Sequence, residues 1–153
     1  MKVVLQRVSK AKVEIENKTV GEIGMGFLIL LGIGLYDTEE DVDYLVNKII
    51  NLRVFSDQND KFNLSVKDVK GNLLVVSQFT LFADTKKGNR PGFTNAAPPD
   101  LAEDLYNKFV EKCTQTSLNI QTGKFGSNMQ INLINSGPVT ILLDSKEKTY
   151  ESH

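Results

Sequence analysis

Three stretches of this sequence carry residue types that do chemistry. The first is Ser77-Gln78-Phe79-Thr80, where two hydroxyls and an amide interrupt a run otherwise apolar from Leu73 to Phe82. A polar group buried without a partner costs about 1–3 kcal/mol. These side chains therefore either bond across a sheet or line a pocket where hydroxyls and backbone N–H groups meet a ligand. The second is Asn135-Ser136-Gly137-Pro138-Val139-Thr140. Glycine opens backbone angles closed to other residues and proline removes an N–H donor, so both an ordinary turn and a shaped main-chain element remain open. The third is the basic, glycine-containing segment Lys86-Lys87-Gly88-Asn89-Arg90-Pro91-Gly92. It reads either as a solvated loop or as a grip on phosphate or RNA backbone. Arg7 is a fourth point of interest, because it shares a strand face with Val3 and Leu5. A long cation on an apolar face either snorkels to water or reaches a specific acceptor.

What the chain lacks narrows the chemistry further. It has one His, the terminal His153, one Cys, Cys113, and no Trp. A Ser-His-Asp triad needs an internal imidazole, and a Cys-His pair needs the same group. A structural zinc site needs about four Cys or His ligands, and a disulfide needs a second Cys. No metal or cofactor is implied. An enzyme with this composition works through carboxylates, hydroxyls, backbone amides or the substrate itself. A net charge of -1 gives no general electrostatic case for nucleic acid. Charge breaks the Met1–Arg7 segment before an apolar core forms, and Phe27 to Leu31 is far shorter than the roughly 20 residues that span a bilayer. The expected location is the cytoplasm, without a membrane.

These candidates must be held by the elements around them. A chain of 153 residues, 41% hydrophobic and 24% charged, suits one domain with one proper core, expected over residues 1–153. Alternation predicts strands over Val3–Val8 and Ala11–Ile15, with a turn at Asn17-Lys18-Thr19. Phe27–Leu31 is apolar on both faces, as in a strand buried on both sides. Asp37 or Thr38 caps a helix with an acidic first turn and the stripe Val42, Leu45, Val46, Ile49, Ile50. Short and long strands follow at Leu52–Phe55 and Leu73–Phe82. A second helix starts near Pro99-Asp100 with the stripe Leu101, Leu105, Phe109, Cys113. Cys113 on that stripe reads as core. Leu118–Thr122, Met129–Ile134 and Val139–Leu143 complete the strands. The pattern is α+β: mostly antiparallel, barrel-like strands with two main helices on one side.

At this point the motifs, taken together, resemble a known family. Met1–Val8, Ser77-Gln78-Phe79-Thr80-Leu81-Phe82, Lys87-Gly88-Asn89-Arg90-Pro91 and Phe125-Gly126 through Asn135-Ser136-Gly137-Pro138-Val139-Thr140 occur in the order found in the D-aminoacyl-tRNA deacylases. The resemblance spans essentially the whole chain. It implies a homodimer that hydrolyses the ester linking a D-amino acid, or glycine mischarged on tRNA-Ala, to the terminal adenosine of tRNA. By position, Ser77, Gln78, Phe79 and Thr80 would be the catalytic pocket. Gly137-Pro138 would form a cis peptide reaching into the partner subunit's pocket to reject L-amino acids. Met129 would sit beside that motif, Arg7 would help hold its orientation, and Phe125 is a further candidate for binding the substrate; the basic loop offers Lys86, Lys87 and Arg90 as candidates for tRNA contact. The chain departs from the family pattern at Ser136, Ser127 and Gly92, where Asp, Ala and Ser are expected. Two other classes stay in view: a non-catalytic RNA-binding module and a hydrolase of small free esters.

Overall fold

The computed structural model describes residues 1–148; the sequence's only histidine, His153, lies outside the described residues. The two expected N-terminal strands are one, β1 (Lys2–Ile15). It turns through Glu16 and Asn17, both at positive φ (50° and 64°), into β2 (Lys18–Ile23), as a tight hairpin requires. β3 (Gly26–Gly32) continues along the same edge of β1, so β2 and β3 pair antiparallel with its successive halves. β8 (Gln130–Asp144) runs antiparallel along the other edge. It unites the two strands expected at the C-terminal end.

Helices supply the remaining connections. α1 (Glu39–Asn51) starts where the acidic turn predicts, with the Asp41 carboxylate accepting the Thr38 N–H at 2.8 Å. It buries Val42, Leu45, Val46 and Ile49. After it, β4 (Phe55–Ser56) and β5 (Phe62–Leu64) form a small separate hairpin. β6 (Asn72–Ser77) then pairs parallel with β3. α2 (Pro99–Thr114) leads to β7 (Asn119–Thr122), parallel with β6. A parallel neighbour needs a long crossover, and each helix lies in one. The sheet is therefore mixed: β1 supplies the antiparallel ladders and β3-β6-β7 the parallel ones.

Three expectations on extent are corrected. The strand read over Leu73–Phe82 stops at Ser77, and Phe79–Phe82 is a 3₁₀ turn. Its ladder ends because β3 stops at Gly32 and β7 pairs only as far as Val75; the last bond is the Gln78 N–H to the Leu31 carbonyl, 2.8 Å. The Leu52–Phe55 strand shrinks to Phe55–Ser56, since Leu52 caps α1. The α2 stripe is wider than four-residue steps indicate, with Ala102 and Tyr106 buried beside Leu105, Phe109 and Cys113.

The two faces of the sheet bury two cores. Val3, Leu5, Phe27, Ile29, Leu31, Leu73 and Val75 pack with both helices on one side. Val8, Ala11, Val13, Ile23, Leu28, Leu74 and Val76 fill the other, inside the curl of the sheet. That curl is nearly closed: a Cβ on Gly21 of β2 would stand 2.5 Å from the Thr122 carbonyl oxygen of β7, so only glycine permits the approach. β1 changes from the first core to the second at Arg7. There the register with β8 jumps from Gln6↔Thr140 to Val8↔Asn135. Ser136–Val139 are the extra residues in β8, a bulge that re-aims both strands.

Candidate active site

Where β6 ends, the chain opens a cleft of about 700 Å³. Its lining includes Val76 and Ile131 from the strands, Phe125 and Met129 from the segment before β8, Phe93, Pro98 and Ala102 from the loop and start of α2, and Ser77, Gln78 and Phe79 at the end of β6. The aromatic rings are fixed by contact. Phe79 meets Phe93 edge-on at 5.0 Å, and Phe125 leans on Tyr106 at 5.8 Å. Tyr106 donates its hydroxyl to the Val75 carbonyl at 2.9 Å, and burial pushes its phenol up to about 12, so it remains a donor. Cys113 sits in the helix-side core, with its thiol pushed up to about 12 by burial, and takes no part in the cleft.

Among the described residues, none that lines the cleft carries an acidic or basic side chain. What it offers is main chain, hydroxyl, amide and aromatic surface. The 3₁₀ turn at its rim leaves its leading N–H groups, those of Phe79 and Thr80, without an acceptor inside the turn. Later N–H groups are used: Leu81 donates to the Gln78 carbonyl at 3.3 Å and Ala83 to that of Thr80 at 3.1 Å. Thr80 itself is exposed and is not among the lining residues. Its hydroxyl accepts a hydrogen bond from the Gln78 carboxamide. The arrangement is able to receive an oxyanion from the main chain, but it places no base beside a hydroxyl nucleophile.

The second group of candidates is assembled elsewhere. Gly137-Pro138 is a cis peptide in the β8 bulge, exposed, with Gly137 at φ +138°. Asn135 and Thr140 are the clasp of this bulge. The Asn135 carboxamide oxygen accepts the Val139 N–H at 2.8 Å, and its nitrogen donates to the Thr140 hydroxyl at 3.1 Å. Gln6 donates to the same hydroxyl at 3.3 Å. Arg7 does not snorkel: Nε donates to the Ser136 carbonyl at 2.9 Å and Nη1 to the Val54 carbonyl at 2.6 Å. The Ser136 contact uses a backbone oxygen that any residue supplies, so the departure from Asp leaves that bond available.

Gly137 and Pro138 are not among the residues that line the cleft of their own chain. Ser77 pairs with Leu31, Leu31 with Val3, and Val3 with Leu143, six residues beyond Gly137 on β8. Three strand spacings of about 4.8 Å each, and that further step along the strand, make up the path through the sheet from the motif to its own Ser77. Lys86, Lys87 and Arg90 stand exposed on a loop closed by Asp84 and Gly92, just before Phe93 of the cleft wall. Sequence reasoning missed Ile33, Phe93, Ala96–Pro99 and Ala102 as cleft residues. The usable signal was a phenylalanine in a Gly- and Pro-rich loop leading into a proline-started helix.

Fold and cleft define a small α+β protein whose site is built from main chain and uncharged side chains. Residues 4–144 match the family described as D-Tyr-tRNA(Tyr) deacylase, and the chain belongs to that family of hydrolases. It is 56% identical over 147 residues to a D-aminoacyl-tRNA deacylase of Thermosipho africanus (strain TCF52B), covering 96% of this chain and 99% of that one. Among solved structures, one described as c-Myc DNA unwinding element binding protein is similar with a TM-score of 0.89 and 45% identity, over 94% of this chain and 98% of that one. A probable eukaryotic D-amino acid tRNA deacylase has a TM-score of 0.80 over 93% and 97% of the two chains. At 17% identity that likeness concerns the fold alone.

Proposed function

We propose that this protein hydrolyses the ester joining a D-amino acid to the terminal adenosine of tRNA, and that of glycine mischarged on tRNA-Ala. Family membership over residues 4–144 supports the reaction class. The observation that supports the mechanism is a cleft lined, among the described residues, by no ionisable side chain. The aminoacyl carbonyl is held at the Phe79 and Thr80 N–H groups, which stabilise the tetrahedral oxyanion. One such donor is worth about 3 kcal/mol in the transition state. Water attacks the carbonyl and the ribose 2′-hydroxyl of the substrate relays its proton. The ester 3′-oxygen leaves as the hydroxyl of the freed tRNA, and the amino acid departs with the new carboxyl group. Thr80 positions the turn through Gln78 rather than attacking.

Selection against L-amino acids is assigned to Gly137 and Pro138 acting across a homodimer. The motif is exposed and does not line its own cleft, which favours delivery to another copy's cleft. An apolar patch beside it supports the same reading. Val4 pairs with both Leu30 and Leu142, so the three share one face of the sheet, and Leu142 is 75% exposed. Lys86, Lys87 and Arg90 offer cations to the tRNA end. Among the described residues no helix is long and apolar enough to cross a membrane.

Purified protein incubated with D-Tyr-tRNA, L-Tyr-tRNA and a free D-Tyr ester tests the proposal. Release of D-Tyr from tRNA, with L-Tyr-tRNA spared and the free ester slow, is the expected result. RNA affinity with steep salt dependence and no hydrolysis identifies a binding module instead. A free ester cleaved as fast as the tRNA ester identifies a small-ester hydrolase.

A further inference from the structure

Phe62 is a large apolar side chain left 56% exposed on β5, outside both cores. Its ring lies 5.4 Å from the guanidinium carbon of Arg7. The ring of Phe55 lies 5.9 Å from the same carbon, but Phe55 is buried and packed on Phe27 at 5.1 Å. Arg7 thus takes its support from one small hairpin: the Val54 carbonyl at 2.6 Å, the Phe55 ring and the Phe62 ring. Its remaining bond, Nε to the Ser136 carbonyl at 2.9 Å, is spent on the residue before Gly137. The hairpin is itself pinned. Arg53 donates to the Asn63 carbonyl at 3.1 Å, and Asp57 accepts the N–H groups of Asn59 at 2.8 Å and Lys61 at 3.1 Å.

We propose that Phe62 is a positioning residue for stereochemical selection, acting through Arg7 on the main chain at Ser136-Gly137 and touching no substrate. A long cationic side chain keeps one geometry when its planar face is engaged as well as its N–H edge. Phe62 adds a ring contact at 5.4 Å to the Arg7 guanidinium from a side chain that lies outside both cores. The proposal rests on the reading of Gly137-Pro138 as the filter, and the test separates the two. An exposed contact of this kind changes a population by about two- to five-fold.

The full-length protein is assayed for kcat/KM on D-Tyr-tRNA and L-Tyr-tRNA as wild type, Phe62→Ala, Phe62→Tyr and Arg7→Ala. The expected result is a D-to-L preference lowered about two- to five-fold in Phe62→Ala through faster L-Tyr-tRNA cleavage. Phe62→Tyr retains the wild-type preference. An unchanged preference in Phe62→Ala while Arg7→Ala loses it overturns the role of Phe62 alone. An equal loss on both substrates also overturns it, because that is a structural effect. If neither variant shifts the preference, the filter reading falls and the proposal with it.

Discussion

Replacing Gly137 by alanine asks a methyl group to occupy space already taken. A Cβ there would sit 2.8 Å from Val139 Cγ2, 3.0 Å from the Val139 nitrogen and 3.1 Å from Arg7 Nη2. Val139 is buried and Arg7 is held at two carbonyls, so neither neighbour withdraws freely. The residue also sits at φ +138°, where L-residues carry backbone strain of about 1–3 kcal/mol. That cost shifts the population of the native bulge by about 5- to 150-fold. Because Gly137 is itself exposed and the cost stays within about 3 kcal/mol, the fold persists, with a thermal midpoint lowered by no more than about 12 °C. The assay is the ratio of kcat/KM for D-Tyr-tRNA over L-Tyr-tRNA. It falls by about five-fold or more in Gly137→Ala. A folded Gly137→Ala protein with the wild-type ratio refutes the assignment of selection to this main chain.

Three further outcomes follow from the geometry. Thr80→Ala keeps turnover within about ten-fold of wild type by single-turnover kinetics; a loss on the order of 10⁶-fold in a folded protein would make Thr80 the nucleophile after all. The wild type is expected to sediment as the proposed dimer and Leu142→Asp, at a position already 75% exposed, as a folded monomer; a wild-type monomer rejects the homodimer reading, and an unchanged dimer in the variant places the interface elsewhere. Asp41 sets an acid limit. Burial pushes its carboxyl up, but bonds from the Ser145 hydroxyl at 2.6 Å, the Thr38 N–H at 2.8 Å and Lys146 at 3.1 Å outweigh this and hold it at about 2. A carboxyl depressed on folding stabilises fully above its unfolded value near 4, and that stabilisation is lost as pH falls through about 2. Denaturant titrations at pH 5 and pH 2 therefore show a stability difference about 2 kcal/mol smaller in Asp41→Asn than in wild type. Equal differences would remove Asp41 from the acid response.

Much of the scaffold was legible because its signals are local. The acidic first turn at Glu39–Asp41, the proline at the start of α2 and the doubly apolar Phe27–Leu31 each dictate one element whatever the rest of the chain does. Strand ends were not legible. Ser77 ends β6 because its neighbours β3 and β7 run out, and the alternation of Leu73–Phe82 contains nothing about the length of another strand. The same holds for the parallel ladders, which depend on where two helices cross over. For the site, the polar interruption at Ser77-Gln78 falls on residues that line a cleft, whereas Phe93 and Ala102 join that lining through tertiary packing alone. Arg7 shows the limit of periodicity most plainly. Its place on an apolar face posed the question, and the bulge opposite it, four residues of β8 against one of β1, supplied the acceptor.

Among the described residues the cleft offers amides, hydroxyls and rings but no ionisable side chain, and the proposed mechanism therefore assigns the proton relay to the substrate's own ribose. Single-turnover hydrolysis of D-Tyr-tRNA ending in 2′-deoxyadenosine, against the same tRNA ending in adenosine, tests this directly. General acid–base assistance contributes about 10²- to 10⁴-fold, and the deoxy substrate loses a factor in that range while binding is retained. Equal rates on the two substrates would contradict it, and would require a base on the protein that the lining of this cleft does not provide.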